Sequence, residues 1–293
     1  MISVNVRPYQ QSDADAIAGI INEDPYHFQQ GITSQEFERG LDEPGERIRD
    51  NTFVVAVHEQ IVGFISLCFS ESVGHWTVYS YSGVAMNWRR RGIGTQMLRF
   101  ILAHLKKMAR HEGRTMVYVH RADSRVPGMK ELALQHDMAV GYELLILRYT
   151  QLDLVAVSPA AGYSFHSPEI TDAASWASIY NDAFGGRKTA DQVIHEFTSP
   201  EYNPDLYIMA SHSDGGPAAF INAKVVGETG KIPTLAVRTE HQGGGLGKAL
   251  LAEALSRLRA AGAKEARIEQ ACNKNATKDV IGLVWMNQCV HLL

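Results

Sequence analysis

One local pattern occurs twice in this chain, and it limits the possible folds more than any other feature. An apolar, β-branched run leads into a glycine-rich loop, and an amphipathic helix follows. The first copy lies within residues 84–113. It reads Val84-Ala85-Met86-Asn87-Trp88-Arg89-Arg90-Arg91-Gly92-Ile93-Gly94, then a helix over 95–112. The second runs from Val237 through Gln242-Gly243-Gly244-Gly245-Leu246-Gly247 into a helix over 248–261. The helix faces match in register. Met97, Leu98, Ile101, Leu102, Leu105 and Met108 correspond to Leu250, Leu251, Ala254, Leu255, Leu258 and Ala261. Such a stripe is the buried face of a helix lying on a sheet.

A strand–glycine loop–helix junction binds anions. The first amides of a helix have no intrahelical partner, and the helix dipole is positive there. Glycines remove Cβ atoms and let a phosphate approach the main chain. Arg89, Arg90 and Arg91 add positive charge to the first loop. Other glycine codes fit worse. A P-loop needs Gly at 242 and Ser or Thr at 249, where the chain has Gln242 and Ala249. A dinucleotide fingerprint needs a small residue at 97 and 250, where the chain has Met97 and Leu250.

Around these junctions the chain repeats a whole domain. A first strand near Val4 is followed by a helix with Ile17, Ile20 and Ile21 on one face. A Thr33-x-x-Glu36 capping box opens a second short helix. Strands follow over 53–57 and 61–68, joined at Glu59-Gln60, and then the strand 76–84 enters the first loop. After the long helix come a strand over 115–119, a helix opened by Pro127 and a closing strand over 142–149. The order restarts at 164–167, with Trp176, Ile179 and Tyr180 on the next helix and a second box at Thr189-x-x-Gln192. A last helix is expected over 277–288. The fold class is α/β with a mixed (α+β) sheet in each of two tandem domains. These are 1–150 and 162–293, joined by a linker over 151–161. The second copy ends too soon after Val290 to hold its own last strand.

The 293 residues suit two domains that each bury a core. A net charge of −4 argues against a nucleic-acid partner. Cys68, Cys272 and Cys289 have neither disulfide-framework nor metal spacing, and fit a reduced, cytoplasmic chain with no metal. No signal-peptide core or membrane-length apolar run is present, so no membrane partner is expected.

The spacing Arg/Gln-x-x-Gly-x-Gly, filled by Arg89, Gly92 and Gly94 and again by Gln242, Gly245 and Gly247, resembles the GNAT superfamily of N-acetyltransferases. The element order β-α-α-β-β-β-α-β-α-β is also similar to the GNAT fold, twice over. The resemblance implies a loop that holds the pyrophosphate of acetyl-coenzyme A (acetyl-CoA). That role would fall to Arg89, Arg90, Arg91, Gly92, Ile93, Gly94 and Thr95. In the second copy it would fall to Gln242, Gly243, Gly244, Gly245, Leu246, Gly247 and Lys248. The main chain of Ser82-Gly83-Val84, and of Leu235-Ala236-Val237, would polarise the thioester carbonyl.

Acetyl transfer to an amine also needs a base, since only the free amine is nucleophilic. His120, at the end of a strand, is a candidate, as are Tyr81 and Tyr79 on the strand before the first loop. Glu269 and Cys272 hold the comparable places in the second copy. The family often places a tyrosine that protonates the departing thiolate in the helix before its last strands. Ala133 and Trp285 fall there, and neither donates a proton for this purpose. Two functional classes follow. One is an acetyl-CoA-dependent N-acetyltransferase acting on a small amine. The other is a coenzyme A-binding or scaffolding protein in which one or both copies do not turn over. The three arginines and the closing strand 142–149 favour the first copy as the catalyst.

Overall fold

The computed structural model describes residues 2–27, 29–72, 74–141, 144–150, 152, 161–271 and 289–292. The chain divides into two compact units, Met1–Ala139 and Val140–Leu293. The linker 151–161 lies almost wholly outside the described residues, and the expected helix 277–288, Cys272 and Trp285 lie outside them altogether. Among the described residues no helix is long and apolar enough to cross a membrane.

The first unit holds β1 (Asn5–Pro8), α1 (Ala14–Glu23), α2 (Ser34–Leu41), β2 (Thr52–Val57), β3 (Gln60–Ser72), β4 (His75–Val84), α3 (Ile93–Glu112), β5 (Thr115–Val119) and α4 (Met129–Leu134). Its five strands are ordered β1-β2-β3-β4-β5. β2 is buried along its whole length because its side chains feed two cores. Phe53, Val55 and Val57 meet Ile93, Met97, Ile101 and Leu105 of α3. Val54 points the other way, into the core with Ile17, Ile21 and Phe37 of α1 and α2. This period-2 division puts α3 on one face of the sheet and α1 and α2 on the other.

The expected capping box forms as written. Thr33 Oγ1 accepts from the Glu36 amide at 3.1 Å, and Glu36 Oε2 accepts from the Thr33 amide at 2.7 Å. The β2–β3 turn falls one residue earlier than expected. Val57 pairs with Gln60, and His58 and Glu59 both take positive φ, at 46° and 69°. A two-residue turn with both φ values positive matches the twist of a hairpin. α3 starts at Ile93, two residues before the expected point, because Gly92 sits left-handed at φ 80° and caps it.

The second unit adds β6 (Leu144–Tyr149), β7 (Tyr163–His166), α5 (Ala173–Phe184), α6 (Ala190–Phe197), β8 (Tyr207–His212), β9 (Pro217–Val226), β10 (Thr229–Val237), α7 (Leu246–Ala260), β11 (Glu265–Ala271) and β12 (Cys289–Leu292). The second box also forms, with Thr189 Oγ1 accepting from Gln192 N at 3.3 Å and Gln192 Oε1 from Thr189 N at 2.9 Å. Its sheet has seven strands, ordered β12-β6-β11-β10-β9-β8-β7.

Two sequence expectations fail here. The strand expected to close the first copy does not join the first sheet. β6 runs antiparallel to β11, with Tyr149 opposite Ala266 and Leu144 opposite Ala271. The second copy is not short of a last strand either, because β12 pairs with β6, Cys289 opposite Leu147. Leu147 is buried, and Arg148 Nε donates to Glu265 Oε2 at 2.6 Å. A strand's side-chain pattern fixes its faces but not the edge it joins, and β6 completes the second sheet.

Candidate active site

β4 and β5 run parallel and pair from His75–Thr115 to Tyr79–Val119. Beyond that point β4 continues to Val84, paired with β3 on one side only among the described strand pairings. The two strands splay, and a cavity of about 670 Å³ opens in the gap. Ser82, Gly83 and Val84 line it from the strand, and Arg89, Arg90, Gly92, Ile93, Gly94 and Thr95 from the loop and first turn of α3. His120 and the segment from Val126 to Leu132 complete the wall. Ten of the first-copy positions expected from sequence therefore meet around one space. Arg91 and Tyr81 are not among the lining residues.

The two glycine loops have the same backbone. A 3₁₀ turn, Met86–Trp88 or Thr239–His241, precedes each. Left-handed φ values fall at Arg90 (61°) and Gly92 (80°) in the first, and at Gly243 (79°) and Gly245 (85°) in the second. Alternating backbone of this kind turns successive amides toward one point, which suits an anion. Gly92 and Gly245 have no side chain with which to cap their helices, which leaves the first helical amides to another acceptor.

The leading residue of the motif has a structural task. Arg89 Nε donates to the Val84 carbonyl at 3.0 Å, and Gln242 Nε2 donates to the Val237 carbonyl at 2.9 Å. In each copy this side chain ties the loop to the end of its strand. Arg89 also pairs with Asp24 at 2.6 Å, where both side chains are largely buried. Arg90 donates to the Pro127 carbonyl at 3.1 Å. The Arg91 guanidinium stacks 4.9 Å above the Trp88 ring. Three consecutive residues on a turning backbone point in three directions, so the expected cluster of three arginines is fanned apart.

His120 presents Nε2 as a buried atom with no hydrogen-bond partner among the described residues. Burial depresses its pKa, so the imidazole is neutral at neutral pH and can accept a proton. Its Nδ1 lies 3.3 Å from the Tyr118 hydroxyl, which is 2.7 Å from Ser80 Oγ. Tyr81 belongs elsewhere. Burial, with Cys68, Glu43 and Glu46 nearby, pushes its phenol far above the ordinary value. The Cys68 thiol donates to Glu46 Oε2 at 2.7 Å in the same cluster. Tyr79 is part exposed on the sheet. Ala133 lies in α4 as expected, and no tyrosine is found among the described residues lining the cavity.

Sequence reasoning missed Asp24, whose place beside Arg89 depends on the fold alone. It also missed the wall from Val126 to Leu132, for which Pro127-Gly128 was the available turn signal.

The second loop has a different inner side. A Cβ on Gly94 would meet only Leu132 Cδ2, at 3.5 Å. A Cβ on Gly247 would meet Val237 Cγ2 at 3.5 Å and Leu235 Cδ2 at 4.0 Å. Leu235 and Ala236 stand where the first copy has Ser82 and Gly83, so strand side chains rather than the α4 segment are the neighbours of this glycine. Leu246 is buried under the loop, and Lys248 is half-buried on the first turn of α7.

Comparison with known proteins agrees with this geometry. Residues 173–279 match the acetyltransferase (GNAT) family model, and residues 49–130 match an acetyltransferase (GNAT) domain model. A mycothiol acetyltransferase of Clavibacter michiganensis is 30% identical over 186 residues, which cover 60% of this chain and 58% of that protein. A mycothiol acetyltransferase of Kineococcus radiotolerans is 33% identical over 139 residues, covering 44% of this chain and 45% of that one. The matches thus span about half the length of these curated relatives. Among solved structures, a GCN5-related N-acetyltransferase from Sphaerobacter thermophilus aligns with a TM-score of 0.70 at 18% identity, covering 100% of this chain and 96% of that one. A tandem GNAT protein from the clavulanic acid biosynthesis pathway aligns with a TM-score of 0.64, also at 18% identity, covering 99% and 98%. Two GNAT matches in one chain, each over a strand–glycine loop–helix junction, make this protein a member of the GNAT acetyltransferase family with two tandem GNAT domains.

Proposed function

We propose that the chain is an acetyl-CoA-dependent N-acetyltransferase acting on a small amine, and that the first unit carries the reaction. One observation carries this reading. The free end of β4, the uncapped start of α3 and the unpartnered Nε2 of His120 all border one cavity of about 670 Å³. The amides from Gly92 to Thr95 suit a pyrophosphate, whose charge meets the positive end of the helix. Arg90, at the rim, adds a cation. The main chain from Ser82 to Val84 is placed to donate to a carbonyl oxygen as it gains charge. Acetyl-CoA supplies a thioester, and the free amine attacks its carbonyl carbon.

His120 takes the proton that must leave the ammonium before attack. It suits that role because burial favours its neutral form. Among the described residues no tyrosine lines the cavity, and the departing thiolate can take its proton from water.

Binding without turnover is the better reading for the second unit. Leu235 lies near the first turn of α7, where the first unit has Ser82 on its strand. The second loop keeps the backbone for a phosphate contact through Gln242–Lys248, but its strand presents Leu235 where the first unit presents Ser82. The acceptor is a small amine, and the amine acetylated by the mycothiol acetyltransferases is the first to try. Thiol release from acetyl-CoA, measured over that amine, polyamines, amino acids and aminoglycosides, tests the reading. Release dependent on one class of amine is the expected result. Binding of acetyl-CoA with no release for any amine would leave a coenzyme A-binding protein.

A further inference from the structure

We propose that Tyr118, backed by Ser80, is the positioning residue for His120. It accepts the Nδ1 proton and thereby leaves Nε2 unprotonated at the cavity. This rests on the first unit being the transferase.

The three groups share one face of the sheet. Tyr118 lies in β5 and His120 follows its last residue, and the contact between their side chains puts both on the same side. Val78 pairs with Tyr118 in the parallel β4–β5 ladder, which puts Ser80 beside the phenol. The distances are 2.7 Å from Ser80 Oγ to Tyr118 Oη and 3.3 Å from Tyr118 Oη to His120 Nδ1. Burial raises the Tyr118 pKa to about 12, so the phenol keeps its single proton throughout the working range.

That single proton makes the network directional. A neutral imidazole carries one N–H, and its position depends on what the other nitrogen meets. If Tyr118 donated to Nδ1, Nε2 would carry the proton. It would then be a buried donor without a partner and unable to act as a base. If Nδ1–H donates to Tyr118 Oη instead, the phenol proton goes to Ser80 Oγ over the shorter contact. The Nε2 lone pair then faces the cavity. The second arrangement leaves the base free and passes the outstanding proton to the Ser80 hydroxyl, a rotor that can turn to meet an acceptor, rather than to a fixed ring N–H.

It also fits the charge change in the reaction. Nε2 takes a proton from the acceptor ammonium, and the imidazolium keeps Nδ1–H donated to Tyr118 Oη. Tyr118 retains its own proton, so nothing passes along the chain. After product leaves, Nε2 returns its proton to water. The other ionisable groups around the cavity are Asp24, Arg89, Arg90 and Glu131. Asp24 and Arg89 are committed to each other, and Arg90 to Pro127. Among the described residues the hydrogen bond made by the ring is the one to Tyr118, which the Ser80 hydroxyl backs.

Long-range ¹H–¹⁵N NMR of the full-length protein reads the histidine tautomer without any substrate, with His120→Gln assigning the signal. The wild type should show His120 protonated at Nδ1. In Tyr118→Phe the proton should move toward Nε2, with the melting temperature and acetyl-CoA stabilisation retained. With an acceptor that turns over, Tyr118→Phe should lower kcat about tenfold, a fraction of what loss of a general base costs. KM for acetyl-CoA should stay within about twofold, since Tyr118 lines no part of the cofactor loop. The acid limb of the rate profile should move to lower pH, because the imidazolium has lost an acceptor. A wild-type Nε2–H tautomer would overturn the proposal, as would an unchanged tautomer or acid limb in Tyr118→Phe. The tautomer is read on the free protein, so it decides this point even if no amine proves to be acetylated.

Discussion

Arg89→Gln separates two readings of the first motif residue, as a phosphate contact or as a clamp on the strand. The second copy shows what the variant should do. Gln242 already fills the place and donates to the Val237 carbonyl at 2.9 Å. A glutamine at 89 can therefore keep the bond to the Val84 carbonyl that Arg89 now makes at 3.0 Å. What it cannot keep is the ion pair with Asp24, whose side chain is only 11% exposed. Asp24 retains one bond, from the Tyr26 amide at 2.9 Å. Leaving such a carboxylate without its cation costs about 1–3 kcal/mol. For a unit of this size that is a fall in melting temperature of roughly 3–10 °C. Asp24→Asn removes the stranded charge, so the double variant should regain most of the loss. Differential scanning calorimetry of the four proteins closes the cycle. Acetyl-CoA should still raise the melting temperature of Arg89→Gln. If Arg89→Gln melts like the wild type but no longer responds to acetyl-CoA, Arg89 is a phosphate ligand and the clamp reading is wrong.

Three further outcomes follow from the same geometry. His120→Gln should lower turnover about 10²-fold at neutral pH and remove the acid limb, which in the wild type lies below about 6.5, as rate profiles will show. A fragment of residues 140–293 should fold with a cooperative melt. One of residues 151–293 should not, since it lacks β6 from the middle of the β12-β6-β11 arrangement; equal melts would contradict this. Arg148→Met tests the same strand by pH. Burial raises the Glu265 pKa, but the hydrogen bonds from Arg148 and Arg267 together hold it below its ordinary value. A depressed carboxyl stabilises the fold above its unfolded pKa, and that stability is lost as pH falls through the folded value. Arg148→Met should therefore be less stable at neutral pH and show a shallower loss of stability below about pH 4.3 in denaturant melts.

Local chemistry made much of this protein legible. The capping boxes at Thr33 and Thr189 close within three residues, so no distant part of the chain can change them. The glycine loops set their own φ values, and the backbone at Gly92 and Gly245 follows from residue type. His120 could be named a candidate base from sequence because it follows a strand and can titrate near neutrality, while its place on the cavity wall came only with the fold. What failed depended on distance or direction. β6 carries the right pattern for a strand, but no pattern states that its partner is β11. The arginine run reads as one patch of charge, while the turn at Arg90 sends its members to Asp24, Pro127 and Trp88. Asp24 lies 65 positions from Arg89, and Leu235 is a neighbour of the second loop only because β10 brings it beside Gly247.

Turnover of Gly94→Val beside Gly247→Val tests the central claim most directly. A Cβ at Gly94 meets one atom at ordinary contact distance, and no left-handed φ stands in its way. Valine costs a helix no more than glycine does, within about 0.5 kcal/mol, so the variant should fold. Its methyl groups would then fill the cavity where the first turn of α3 lines it. Gly94→Val is expected to abolish both turnover and stabilisation by acetyl-CoA, while Gly247→Val keeps turnover near the wild-type rate. Full activity in Gly94→Val with none in Gly247→Val would place the reaction in the second unit and contradict the account.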